Sequence, residues 1–247
     1  MLRAFDEDRP AMGLGELARV MNWNKASVRR TAETLRDLGF LDKRPDGRYT
    51  LGTAALDLGY AYLKTLNLPA VAEPFMQEAV RKLGESMSLS ILDGSYALNV
   101  GRIATTPRVM SARADVGSRH PAHASAVGKA LLADADEARL VHVLGPPPWP
   151  ALTEHTRTDV PSLLDDLRRA RETSLAMSDE ELEIGMRSIA TPIRDASGSI
   201  VAALSIATNP ARTSRETLMT EIAETLLDTG RRLSAALGYR DPARESR

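Results

Sequence analysis

Cysteine is absent from the 247 residues. That excludes disulfides and thiolate metal sites, and it fits a cytoplasmic chain. No apolar run reaches the roughly eighteen residues that a transmembrane helix needs, so no membrane partner is expected. The amino terminus, "MLRAFDEDRP", turns acidic at once and has no apolar signal core. Histidine is scarce: the four residues have no spacing that specifies a metal. No internal repeat is apparent. Ser125 lies near His120 and His123 but in no G-x-S-x-G elbow, and close sequence neighbours in one turn rarely align as a triad. No catalytic residue, metal or cofactor is therefore assigned.

What is present is the composition of a globular protein, 43% hydrophobic and 26% charged. The length allows two ordinary domains. The net charge of −1 hides an asymmetry. Residues 24–50 carry Lys25, Arg29, Arg30, Arg36, Lys43, Arg44 and Arg48 against Glu33, Asp37, Asp42 and Asp46. That makes the head basic and the remaining chain mildly acidic, so a polyanion partner is expected for the head alone.

Residues 1–52 read as helix, turn, helix and hairpin. Leu14, Leu17, Ala18 and Met21 share one apolar face. "NWN" breaks that helix, and Asn24 is a good N-cap for the next. Val28, Ala32, Leu35 and Leu38 form the second stripe, and Gly39 ends it. "FLDKRPDGRYTLG" sets two apolar pieces around Pro45-Asp46-Gly47, a hairpin signal. The sum is a winged helix-turn-helix. In that motif the first residues of the second helix enter the major groove. Asn24, Lys25, Ser27, Arg29 and Arg30 are the candidates there. Arg29 has the fork that reads guanine O6 and N7, and Lys25 suits a phosphate or a guanine. Lys43, Arg44 and Arg48 on the hairpin would follow the backbone or the minor groove of double-stranded DNA. Any amphipathic helix also carries charge on its outer face, so helix charge alone does not distinguish DNA binding from solvation.

Residues 53–67 read as a linker helix, and residues 68–247 as one α+β domain with a central antiparallel sheet. "VAEPFMQEAVRKLGE" reads as a helix with Pro74 near its start. Two alternating runs flank Asp93-Gly94, "RVMSARADVG" suggests a third strand, and "ASAVGKALLAD" and "DEARLVHVLG" suggest helices. "PPPWPALTEHTRTDV" reads as a rigid exposed linker, and "VPSLLDDLRRARET" as an amphipathic helix. A loop and two long strands around residues 195–199 precede a final helix over residues 212–237.

The head with "GRYTLG", then "VGSRHPAHASAVGKALLA" and "EELEIGMRSIATPIRD", resembles the IclR family of bacterial transcriptional regulators across nearly the whole chain. Its motifs look closest to the family's regulators of protocatechuate and hydroxybenzoate breakdown. His123 stands where those often have Tyr, and Lys129 where they often have Arg. The resemblance implies a winged helix-turn-helix, a linker helix and a GAF-like effector domain. It also implies self-association into dimers or tetramers and control of operator binding by a small organic acid. The family's first helix usually extends ahead of "LRAFDEDRP", so this chain is expected to start inside it.

By the same resemblance, the turn at Ser125, Ala126 and Val127 lines the effector pocket. Asp179, Glu181, Ser188 and Ser205 fall at pocket or pocket-shaping positions, and Ala207 where some members carry a serine. For an aromatic acid, Arg119 or Arg187 would pair with the carboxylate and His123 with a ring hydroxyl. The blander alternatives are an Arg119 bridge to Asp115 and a solvated or loop-capping Glu181. A body that serves only oligomerisation, or an enzyme acting on a small acid, are the alternatives of class.

Overall fold

The computed structural model describes residues 1–6, 8–105 and 115–240. The chain separates into two compact units, Met1–Asn67 and Leu68–Arg247.

In the first unit, Leu2–Ala4 make a single 3-10 turn, and Ala4 and Phe5 are buried in the core of the head. Helix α1 (Leu14–Met21) begins where the Glu16 carboxylate accepts the Gly13 N–H at 2.7 Å. It ends at Asn22, held left-handed at φ 52°, a conformation asparagine tolerates. Helix α2 (Lys25–Asp37) starts at Asn24, whose side-chain oxygen accepts the Ser27 N–H at 2.9 Å. Of the expected stripe, Val28 and Ala32 are fully buried and Leu35 is partly so. Leu38 is instead 60% exposed, because the helix has ended and its side chain has left the stripe.

Strands β1 (Leu41–Lys43) and β2 (Tyr49–Leu51) form the wing, and Met12 bridges to Tyr49 to extend it. The wing folds tightly against the end of α2: a Cβ on Gly52 would lie 2.3 Å from the Gly39 carbonyl oxygen. Helix α3 (Ala54–Leu66) completes this unit.

The second unit opens with α4 (Leu68–Leu83). Pro74 lies inside this helix rather than near its start. The missing N–H would have bonded the Ala70 carbonyl, and Ala70 lies exposed, so the lost bond falls at the protein surface. A six-stranded antiparallel sheet follows, in the order β5-β4-β3-β8-β7-β6. Its strands are β3 (Met87–Asp93), β4 (Tyr96–Ile103), β5 (Arg119–Pro121), β6 (Ala176–Asp179), β7 (Arg187–Arg194) and β8 (Ile200–Thr208). Most of "RVMSARADVG" lies outside the described residues, and residues 115–117 form a bend and turn ahead of β5. Strand β6 was expected to be loop: four residues ahead of an acidic turn carry almost no periodic signal.

Both faces of the sheet are covered. Helix α5 (Ala126–Leu131) packs small residues, Ala126, Val127 and Ala130, onto Ala97, Ala176, Ala190 and Ala203. Helices α6 (Glu137–Leu144) and α7 (Val160–Thr173) build a neighbouring cluster with Ala122 and Trp149. On the other face lie α4 and α9 (Ala223–Ala236), where Gly230 meets Thr191 and Ile193 of β7. The last helix begins at α8 (Arg215–Thr217), capped by Ser214, and runs through a π turn (Leu218–Ile222) into α9.

Candidate functional site

The cap at Asn24 fixes what the start of α2 presents. Val28 turns into the core, while Lys25, Arg29 and Arg30 are exposed and Ser27 is half-buried. Among the described residues, none of these three cations enters an ion pair with the protein's own acids. The wing divides differently. Lys43 lies 3.8 Å from Glu33 and over the Tyr49 ring at 5.5 Å from its centre. The Arg48 guanidinium donates to the Ala11 carbonyl and sits 3.6 Å from Glu16, so it braces the wing against the entry to α1. Arg44 has no ion pair among the described residues and is exposed. The eight candidates therefore separate into free cations (Lys25, Arg29, Arg30, Arg44), internally tied cations (Lys43, Arg48), and the cap pair of Asn24 with Ser27.

In the second unit the start of α5 is already occupied. Ser125 caps it, accepting the Gly128 N–H at 3.2 Å and donating to the Pro121 carbonyl at 3.0 Å. Gly128 packs directly on the chain at Ala122, where an added Cβ would stand 2.2 Å from Cα. Ala126 and Val127 are core residues. His123 is buried, tilted against Trp149 at 5.9 Å between ring centres, with Nε2 3.0 Å from the Pro150 carbonyl. Burial pushes its pKa down. Nε2 is thus engaged with the loop, while Nδ1 takes no part in that bond. Most of that loop is exposed, as expected, but it is anchored by Trp149, which is 4% exposed and bonds the Gly145 carbonyl at 3.0 Å.

Arg119 lies on edge strand β5 and reaches Asp93 at 2.7 Å, not Asp115. Arg187 lies toward the opposite edge, on β7, and reaches Asp179 of β6 at 2.6 Å. The two arginines do not converge on one carboxylate. Ser188 and Ser205 do share a face, as alternation predicts. Ser188 pairs across from Ala207, and Ser205 from Ala190 and Ser88, on the side that α5 covers. Cover is complete over Ala190 and Ala203, but Ser88 and Ser205 are half-buried and Ala207 is exposed. A patch of small side chains on the face that α5 covers is left partly open.

At the β6 edge a hollow of ≈ 380 Å³ is lined by Glu154, His155 and Arg157, by Asp179, Glu180, Glu181 and Arg187, and by Arg215. Thr153 and Thr156 hold its two loops together, donating to the Glu180 and Glu181 carbonyls at 2.7 Å each. Glu181 is not solvated: its carboxylate takes a hydrogen bond from Lys129, which is fully buried and also reaches Asp166 at 2.6 Å. Burial pushes the Glu181 pKa up, against the pull of Lys129. For Asp166 burial acts the same way, but Lys129, Arg157 and Arg169 together hold its pKa down. The second Glu181 oxygen, Oε2, is buried with no partner among the described residues. Sequence reasoning left Lys129 out of the site. The available signal was a lone cation in the otherwise apolar "ASAVGKALLA". Among the described residues no group of three or more His, Cys, Asp or Glu could hold a metal, and no helix is long and apolar enough to cross a membrane.

Comparison with known proteins accounts for both units. The family described as "IclR helix-turn-helix domain" matches residues 1–45, and "Bacterial transcriptional regulator IclR C-terminal" matches residues 60–235. The Pca regulon regulatory protein of Pseudomonas putida is 35% identical over 94% of this chain and 80% of its own length. The HTH-type transcriptional regulator XynR of Escherichia coli is 29% identical over 97% of this chain and 94% of its own. An IclR homolog from Microbacterium hydrocarbonoxydans, solved in complex with 4-hydroxybenzoate, superposes with a TM-score of 0.79 at 26% identity, covering 96% of this chain and 95% of that one. The chain belongs to the IclR family of bacterial transcriptional regulators, with a helix-turn-helix DNA-binding domain and a C-terminal ligand-binding domain.

Proposed function

We propose that this regulator acts in the cytoplasm on an operator in double-stranded DNA, and that a small organic acid in the second unit sets its affinity for that operator. The observation that carries the reading is the capped start of α2, where Lys25, Arg29 and Arg30 are exposed and make no ion pair among the described residues. Arg29 reads a base, Lys25 and Arg30 hold phosphates, and Arg44 on the wing adds a phosphate contact.

The effector lies over the open small-residue patch of Ser188, Ser205 and Ala207, beside the start of α5. Asp179, Glu181 and Arg187 shape the adjoining edge. Polar hydroxyls on a floor of small side chains suit a compact acid, and the relative with bound 4-hydroxybenzoate supports an aromatic one. Operators with two-fold symmetry are met by self-association into a dimer or tetramer.

Selection of bound duplexes from random DNA, with and without a panel of aromatic and aliphatic acids, tests the reading. One sequence family is expected to be enriched, and one acid to change its retention and raise the melting temperature. Enrichment of no sequence would overturn the DNA assignment. Enrichment that no acid affects would favour a second unit that only oligomerises.

A further inference from the structure

We infer that Trp23 is a further DNA contact: its indole packs on a deoxyribose beside the start of α2, and its N–H donates to a phosphate oxygen. The inference rests on the DNA-binding reading above and extends it to a residue without charge. Trp23 immediately precedes the N-cap, and Val28 is the fourth helical residue, so the two hold the positions of a hydrophobic staple. A staple uses one apolar face and needs nothing as large as tryptophan. Here 44% of the residue remains exposed, and the indole N–H has no partner among the described residues. The left-handed Asn22 and the Trp23 N–H bond to the Ala18 carbonyl, 3.0 Å, fix the backbone at this point.

The surroundings select the partner. Lys25, Arg29 and Arg30 crowd the same helix start with no ion-pairing acid among the described residues, so a protein partner here would have to be acidic, and a duplex is acidic everywhere along its backbone. A flat ring with a single donor suits a sugar edge flanked by phosphates.

The test uses the full chain and the duplex obtained by selection. The other tryptophan, Trp149, is 4% exposed, so the neutral quencher acrylamide reports mainly Trp23. Duplex is expected to shield Trp23 from acrylamide. Trp23→Leu, which keeps an apolar group at the staple position, is expected to melt like the parent yet bind about tenfold more weakly. The slope of log affinity against log salt stays unchanged, since an uncharged ring releases no counterion, whereas Lys25→Ala lowers that slope by about one. Trp23→Phe, which keeps a ring and removes the donor, falls between parent and Trp23→Leu.

Binding by Trp23→Leu within about twofold of the parent overturns the inference. So does acrylamide access that follows protein concentration rather than added duplex, which would mark Trp23 as a self-association surface. If selection yields no duplex, the DNA-binding reading falls as well. If it yields one and Trp23→Leu binds it normally, only the inference falls.

Discussion

Lys129→Met removes a charge from a place almost closed to water. The Lys129 side chain is fully buried, that of Glu181 is 6% exposed and that of Asp166 is 10% exposed. Methionine roughly preserves the volume, so the loss is mainly electrostatic. Removing one partner of a buried pair typically costs about 3–5 kcal/mol, because the other charge is left without compensation. Asp166 keeps Arg157 at 3.3 Å and Arg169 nearby, so Glu181 alone is stranded. The lower end, about 3 kcal/mol, is therefore expected.

Glu181 already titrates above the ordinary carboxylate range because it is buried, and without Lys129 its pKa rises further. The fold then favours its neutral form. That contribution is full at low pH and is lost as pH rises through the raised value. The deficit of Lys129→Met should be largest at neutral pH and shrink on mild acidification, provided the pH stays above the lowered Asp166 value. Adding Glu181→Gln removes the stranded charge and should recover most of the loss. Urea unfolding followed by the fluorescence of Trp149, in a Trp23→Phe background so that the head is silent, measures this in the correct unit. A single variant within about 0.5 kcal/mol of the parent at neutral pH would refute the reasoning, as would a double variant no more stable than the single one.

Gly128→Ala should destabilise the second unit by about 3 kcal/mol or more, because the new methyl meets the backbone of Ala122 at 2.2 Å rather than a side chain that can turn away; thermal unfolding checks it. Asn24→Ala should cost the head about 1 kcal/mol through loss of the cap on the Ser27 N–H. Chemical denaturation of the head measures that directly. Arg29→Ala should cost roughly 1–3 kcal/mol at the selected operator and relax base preference. Arg44→Ala should weaken all duplexes evenly, and more than Lys43→Ala does, since Lys43 already faces Glu33. Salt-dependent binding isotherms distinguish the three.

The head was legible because each of its signals is local. An N-cap such as Asn24, an i, i+3, i+4 stripe and a Pro-Asp-Gly turn act within a few residues, and the structure repeats them with small shifts. The long hairpins β3–β4 and β7–β8 were legible for the same reason. Strand β6 was not, since four residues gain strand character only by pairing with β7.

The site was legible as residue types and not as partners. Sequence alone determined which residues carry charge, where the capped helices start and that Ser188 and Ser205 face one way by alternation. Only the tertiary structure decided that Arg119 turns to Asp93, that His123 Nε2 meets the Pro150 carbonyl beside Trp149, and that Arg48 braces the wing. It also decided that a lysine in an apolar helix meets acids 37 and 52 residues away. Those pairings are set by sheet order and helix packing, which bring together groups far apart in the chain. In that buried setting an ammonium must find carboxylates, and the sequence does not say which ones.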